Sequence, residues 1–392
     1  MLRTSWCLCL LLLLNGCVAT KNIEPEQALL VTPTEEVEWQ SDSFELVRVP
    51  SQQEIFELSE KSQSHFLDYY YAQDNVDVAG HKHLYNYIDN FLDGFDYKGE
   101  TFNADLAARQ RAGNCLSLAI LTKAYASLVG LDIEFRKVNS APIYQRNAGV
   151  MTISSHVQSH LYAPKIANND KYTLSVLRSK IIIDYFPTSN SFIGDLISDA
   201  DFSAMYYQNL AAEAIVKKNF DLAYSLLDAA MKLSPNNSET LNTLAVLHKI
   251  TGNTALAESL YLYEIQNGNR SVSLLSNYIL LLEQTNRPEE AALMKLKFKD
   301  VRDDNPYRWY DLAIQAYAQQ NFSQALNYYE KSIQAAPYLH ESFYGQAKTY
   351  VRLGKRHQAK IAMKKAVSLA FKPSDEQLYL AKLNSLTRES DM

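Results

Sequence analysis

The chain has 392 residues, a formal net charge of −6 and charged side chains at 21% of its positions. That length gives room for two domains of ordinary size, and the acidic balance, with no basic stretch interleaved with aromatics, argues against nucleic acid as a partner. It carries no glycine-rich phosphate loop, no Cys/His cluster at zinc spacing and no Asp-rich calcium loop, so no cofactor is expected.

The first 17 residues read as a targeting signal. Arg3 precedes an apolar run from Trp6 to Leu14, which is too short to cross a bilayer of ~30 Å. It closes on Leu14-Asn15-Gly16-Cys17, which resembles a bacterial lipobox. The resemblance implies that Cys17 becomes the acylated first residue of the mature chain. Val18, where inner-membrane lipoproteins usually carry Asp, implies the outer membrane, lipid-anchored and facing the periplasm. Several acyl chains would anchor stably, each buried methylene contributing ~0.8 kcal/mol. Residues 18–50 are rich in Glu, Pro, Thr and Ser with no lasting apolar period, and are expected to form a flexible tether.

Residues 51–195 are expected to form an α+β domain. Helical patterns run from Glu54 to Tyr71 and from His83 to Leu92. A further helix carries Leu118, Leu121, Ala124, Tyr125 and Leu128 at helical spacing and stops at Gly130. Asn114 is a good N-cap for it, which puts Cys115 in the first turn. Three strands follow: Ile133–Val138, Val150–Leu161 with His156 and His160, and Lys180–Pro187 with Asp184. Asp195, Asp199 and Asp201 read as solvated linker charges.

The four cysteines are Cys7, Cys9, Cys17 and Cys115. Two lie in the signal and one is the expected lipid site, so Cys115 has no disulfide partner within the mature chain. Its alternatives are a buried spectator and a working nucleophile. Unpaired N–H groups at a helix N-terminus favour negative charge and can lower a thiol pKa, most of all beside an imidazolium. A redox sensor would need a resolving thiol, and this chain has none to offer. His156 and His160 lie on one strand, four residues or ~13 Å apart, so only one of them could reach the thiol.

Thr101 and Ala104, then Arg111-Ala112-Gly113-Asn114-Cys115-Leu116-Ser117, then Leu128-Val129-Gly130-Leu131, resemble the transglutaminase-like core found in bacterial proteins with tetratricopeptide repeats. His156-Val157 resembles that family's His-Val step, and Ile183-Asp184-Tyr185 its Val-Asp-Phe step. The stretch 162–180 departs from the pattern by its length. The resemblance covers about residues 97–187. It implies a papain-related helix and antiparallel sheet with Cys115 as nucleophile, His156 as general base and then acid, and Asp184 as the group that orients the imidazole.

From residue 204 to 373 the sequence repeats. Ala223, Ala257, Ala291, Ala325 and Ala359 follow one another at 34 residues, and Ala211, Ala245, Ile279, Ala313 and Ala347 stand twelve positions before them. This period marks five tetratricopeptide repeats, each a pair of helices, in an all-α solenoid. The third is the weakest, with Lys295 where a large apolar residue is usual. Residues 374–388 are expected to form a capping helix. Together these readings give an envelope lipoprotein whose thiol domain forms a thioester and hydrolyses an amide or peptide bond, while the repeats recruit a protein or peptide partner. The competing expectation is a non-catalytic assembly or adaptor lipoprotein that binds proteins through its repeats.

Overall fold

Capping residues mark where the helices begin. In the computed structural model, which describes residues 39–72, 78–97, 99–147, 150–165, 178–185, 192–269, 271–298, 306–370 and 373–388, and of 139–147, 150–156, 192–193 and 388 only the main chain, α1 (Gln52–Phe56) starts at a capping box. The Ser51 hydroxyl accepts from Glu54 N–H, and the Glu54 carboxylate accepts from Ser51 N–H at 2.7 Å. The signal and Cys17 lie outside the described residues. The single helix expected over 54–71 is two, because the chain extends at Glu57 and Ser59 before α2 (Glu60–Tyr70). Ser59 N–H there donates to Asp105 Oδ1 at 3.0 Å, a bond that a continuous helix would forfeit.

After α3 (Gly80–Leu92) come a two-residue strand β1 (Asp96–Tyr97), α4 (Ala104–Gln110) and β2 (Ala112–Gly113), which pairs parallel with β1. Helix α5 (Cys115–Leu128) is the centre of this part. Leu116, Leu118, Ile120, Leu121, Ala124 and Tyr125 are all buried, so nearly its whole circumference is core. Each large apolar side chain so buried contributes roughly 1.5–3 kcal/mol. Phe66 and Tyr87 pack on Tyr125, with ring centroids at 4.6 and 5.2 Å.

The sheet has strand order β5-β4-β3-β6, built from β3 (Ile133–Asn147), β4 (Val150–Tyr162), β5 (Lys180–Asp184) and β6 (Phe192–Ile197), with every neighbouring pair antiparallel. Strand β6 went unforeseen because Gly194 and Asp195 interrupt its apolar run. Phe135, Val157, Ser159 and Leu161 are buried on the face that meets the helices, following the two-residue alternation of strands.

Helix α6 (Asp199–Val216) belongs to both parts of the chain. It starts five residues before the expected onset of the repeats. Phe202 stacks on Phe135 of the sheet, centroids 3.8 Å apart, while its other face packs on α7 (Phe220–Leu233) and α8 (Ser238–Ile250). Trp39 to Met392 accordingly forms one compact unit. Asp199 and Asp201 are not idle linker charges: Asp199 pairs with Lys123 of α5, and Asp201 bonds Ser198 and Ser234.

Helices then follow in pairs: α6 with α7, α8 with α9 (Thr254–Gln266), α10 (Val272–Gln284) with α11 (Pro288–Lys297), α12 (Pro306–Ala318) with α13 (Phe322–Ala335), and α14 (His340–Arg352) with α15 (Arg356–Leu369). Within each pair the turn passes through a left-handed residue: Lys218, Gly252, Asn286, Gln320 and Gly354, each 34 positions after the last. Asn219, Asn253 and Asn321 then cap the second helix by accepting its N–H groups. Ala223, Ala257, Ala291, Ala325 and Ala359 are all buried, as close helix crossings require. In the third pair α11 is short and lacks a side-chain cap, and Lys295 turns outward to Glu283 at 2.6 Å. Helix α16 (Pro373–Arg388) closes the array, its Tyr379 stacked on Tyr344 and bonded to His340 Nδ1 at 2.9 Å.

Part of the expected tether is held. Ser41, Glu45 and Val47 donate their main-chain N–H groups to Tyr224 Oη, Asp221 Oδ1 and Ser225 Oγ of α7, at 2.9, 3.0 and 2.9 Å. Phe44 stacks on Tyr224 at 4.7 Å and meets His248 of α8 at 5.5 Å. Phe44 is the side chain that packs there, while Val47 is 42% exposed and docks through its main chain.

Candidate functional site

The site is assembled around the N-terminus of α5. Arg111 adopts a left-handed conformation (φ 48°), and its guanidinium donates to the carbonyls of Phe91 and Asp93, holding the end of α3 against the entry to α5. Gly113 follows at φ 137°. A Cβ there would lie 2.7 Å from Ser117 Cβ, so the position admits only glycine. Asn114 then caps α5: its Oδ1 accepts Ser117 N–H at 3.0 Å, and Ser117 Oγ in turn accepts Asn114 N–H at 3.4 Å and Phe102 N–H at 2.8 Å. These bonds explain why Arg, Gly, Asn and Ser cluster around the thiol.

Cys115 is the first residue of the helix and is 8% exposed. Burial pushes its thiol up to about 11; the main-chain N–H groups of Leu116 and Cys115 pull the other way, and the charge of Asp184 adds to the rise. The expected lowering by the helix N-terminus is therefore present but outweighed. Burial also raises Tyr97, whose hydroxyl donates to the carbonyl of Tyr185 at 3.3 Å. The Tyr185 hydroxyl is buried and hydrogen-bonded to Thr122 Oγ1 at 2.7 Å and Ser159 Oγ at 3.0 Å, which ties β4 and the end of β5 to α5.

Asp184 ends β5, where its main chain is in register with Gln158. Gln158 Nε2 donates to Asp184 Oδ2 at 2.7 Å. Sequence reasoning missed Gln158; its place two residues beyond His156 on the same strand was the available signal. His156 is in register with Val138 on β4, and its side chain lies outside the described residues. His160 is buried and occupied elsewhere: its Nδ1 lies 3.0 Å from Lys180 Nζ. Burial, then Lys180 and Arg136, lower its pKa, so it stays neutral beside those cations. Among the described residues, the Asp184 charge reaches Cys115 as a further raising of the thiol pKa, and His160 is engaged with Lys180.

The family model for the tetratricopeptide repeat matches residues 340–373, so a tetratricopeptide repeat is present. No curated protein is similar to the chain. Solved structures similar to part of it include YrrB, a TPR protein with an unusual peptide-binding site, at 16% identity and a TM-score of 0.24, covering 46% of this chain and 91% of that one. Pseudomonas aeruginosa pilF is similar at 19% identity and a TM-score of 0.33, covering 50% and 88%. A MamA structure is similar at 19% identity and a TM-score of 0.25, covering 42% and 91%. The chain is largely helical, with a small antiparallel sheet.

Proposed function

We propose that this chain is an assembly or adaptor protein that binds a protein or peptide partner along the exposed face of the first helices of its repeat pairs. One observation carries the reading. Leu280 and Ile314, 34 residues apart on α10 and α12, are 41% and 45% exposed. The next residue in that register, Lys348 on α14, lies over the rings of Tyr344 and Tyr317 at 4.7 and 5.6 Å. Two exposed apolar side chains at one register on α10 and α12, followed by a lysine over two half-buried tyrosines, suit an extended or helical peptide. A photo-crosslinking residue at Ile314 is expected to give one discrete protein adduct in cells, and the same residue at the exposed Lys364 of α15 to give none. An identical pattern from both positions would remove this face as the docking site. In this reading Cys17 is lipidated and holds the chain at the outer membrane, supported by the Leu14-Asn15-Gly16-Cys17 run. Cys17→Ser should then abolish incorporation of labelled palmitate, and unchanged labelling would contradict the anchor.

A second reading rests on the resemblance of the Arg111–Ser117 run, with Cys115 in the first turn of α5 and the Asp184 carboxylate held by Gln158. It is transglutaminase-like acyl transfer. The Cys115 thiolate attacks an amide carbonyl, the amine leaves with a proton from His156, and water or a second amine resolves the thioester. With burial holding the thiol near 11, this chemistry requires the His156 imidazolium to offset the cost of charging it. Alkylation of Cys115 against pH, with and without His156→Ala, tests this. Thiolate reactivity near pH ~6 that His156→Ala abolishes would support the pair. Reactivity rising only above pH ~8 in both proteins would dismiss it.

A further inference from the structure

Glu213 is a carboxylate in an unexpected place. It sits on α6, the first repeat helix, with its side chain 23% exposed. Among the described residues its ion-pair partner is Lys217 Nζ at 4.0 Å, itself 65% exposed, so water screens the pair. Burial raises the Glu213 pKa, against the lowering by Thr101 N–H and Lys217. A half-buried carboxylate with only a loose, solvated ion pair is costly, and glutamine would offer the same shape and acceptor without the charge.

Its bonds lead to the thiol. Glu213 Oε1 accepts Thr101 N–H at 2.8 Å. Thr101 Oγ1 accepts Asn114 Nδ2–H at 2.8 Å, and Asn114 caps the helix that begins at Cys115. Next in the chain, Phe102 N–H donates to Ser117 Oγ, the other half of the capping box. Thr101 is itself 4% exposed, so little water competes for these bonds. A second tie joins the same two helices: Lys123 of α5 pairs with Asp199 in the first turn of α6, above the rings of Phe56, Phe135 and Phe202. Helix α6 therefore grips α5 at its middle and, through residues 101–102, at its N-terminus.

We propose that Glu213 is a positioning residue that latches the N-terminus of α5 from the repeat array, so that displacement of α6 uncovers and releases the Cys115 thiol. The proposal rests on the reading of Cys115 as the working thiol, and makes its reactivity subject to the array. With the latch closed, the capped first turn keeps the sulfur covered. With it open, the turn frays, the desolvation cost falls and the thiol labels faster.

The test is site-resolved alkylation of Cys115 by iodoacetamide in the full chain at pH 7.5, read by mass spectrometry of the Cys115 peptide. Glu213→Ala and Thr101→Val are each expected to raise the rate about threefold to tenfold, the factor for losing one hydrogen bond behind the cap. The double variant should be no faster than either single one, because both act on one linkage. Lys217→Ala should match the unaltered chain. Rates within twofold of the unaltered chain, or effects that multiply in the double variant, would overturn the latch. If Glu213→Ala loses its cooperative melt, Thr101→Val carries the test alone: an increase above twofold supports the latch, and anything less overturns it; Glu213→Gln, which keeps the acceptor, should stay within twofold of the unaltered chain. The acceleration is expected whether or not His156 governs the pH profile, so failure of the latch and failure of the acyl-transfer reading are separately visible.

Discussion

Gly113 shows how tightly single residues constrain the thiol site. Its φ of 137° and the 2.7 Å approach that a Cβ would make to Ser117 leave no room for a side chain, and Ser117 cannot retreat because it is fully buried and closes the capping box. Gly113→Ala should cost about 2–3 kcal/mol in urea unfolding, and a loss below about 0.5 kcal/mol would contradict the geometry. The opposite change is expected at Gln320, left-handed at φ 61° in an exposed turn. Gln320→Gly should raise unfolding free energy by about 0.5–1 kcal/mol, and destabilisation would show that the side chain does more than occupy the turn. The Gly113-Asn114-Cys115 run was legible as a helix start because capping is local. The thiol's raised pKa was not, because it depends on burial beneath segments distant in sequence. Nor was the occupation of His160 by Lys180, since cross-strand register decides it.

At the scale of elements, the docked segment around Phe44 depends on a histidine that never meets water. His248 is fully buried, neither ring nitrogen has a hydrogen-bond partner, and burial lowers its pKa to about 4 from the ordinary 6.5. The unfolded chain takes the proton first, so the stability that depends on neutral His248 is intact above pH ~6.5 and is lost as pH falls toward ~4. The loss is at most on the order of 3 kcal/mol. His248→Leu should flatten the fall in unfolding free energy across that window; an unchanged slope would assign it to other groups. Gly345 marks another close crossing, where an added Cβ would lie 2.3 Å from the buried ring of Tyr329. Gly345→Ala should cost about 1–3 kcal/mol by overpacking α13 against α14, and a neutral result would mean that Tyr329 can move. The helix pairs were readable because a 34-residue period repeats the same small residues. The split of α1 from α2, strand β6 and the docking of residues 41–47 were not, since each depends on partners far along the chain.

At the scale of the whole molecule, α6 ties the two parts together. It packs Phe202 on the sheet, bonds Thr101 through Glu213, and forms the first helix pair with α7. A boundary near residue 200 looked natural because the sequence changes there from strands to a helical period, yet a helix with two packed faces can serve both sides. In the proposed reading the repeat face with Leu280, Ile314 and Lys348 meets the partner, and the thiol core is fixed to the first helix of the array. The most direct measurement is in-cell photo-crosslinking from Ile314, made in the unaltered chain and in Cys115→Ala. The account predicts the same discrete adduct in both, because docking belongs to the repeats. No adduct from Ile314 would contradict it, and an adduct that vanishes with Cys115→Ala would contradict it by making partner engagement depend on the thiol.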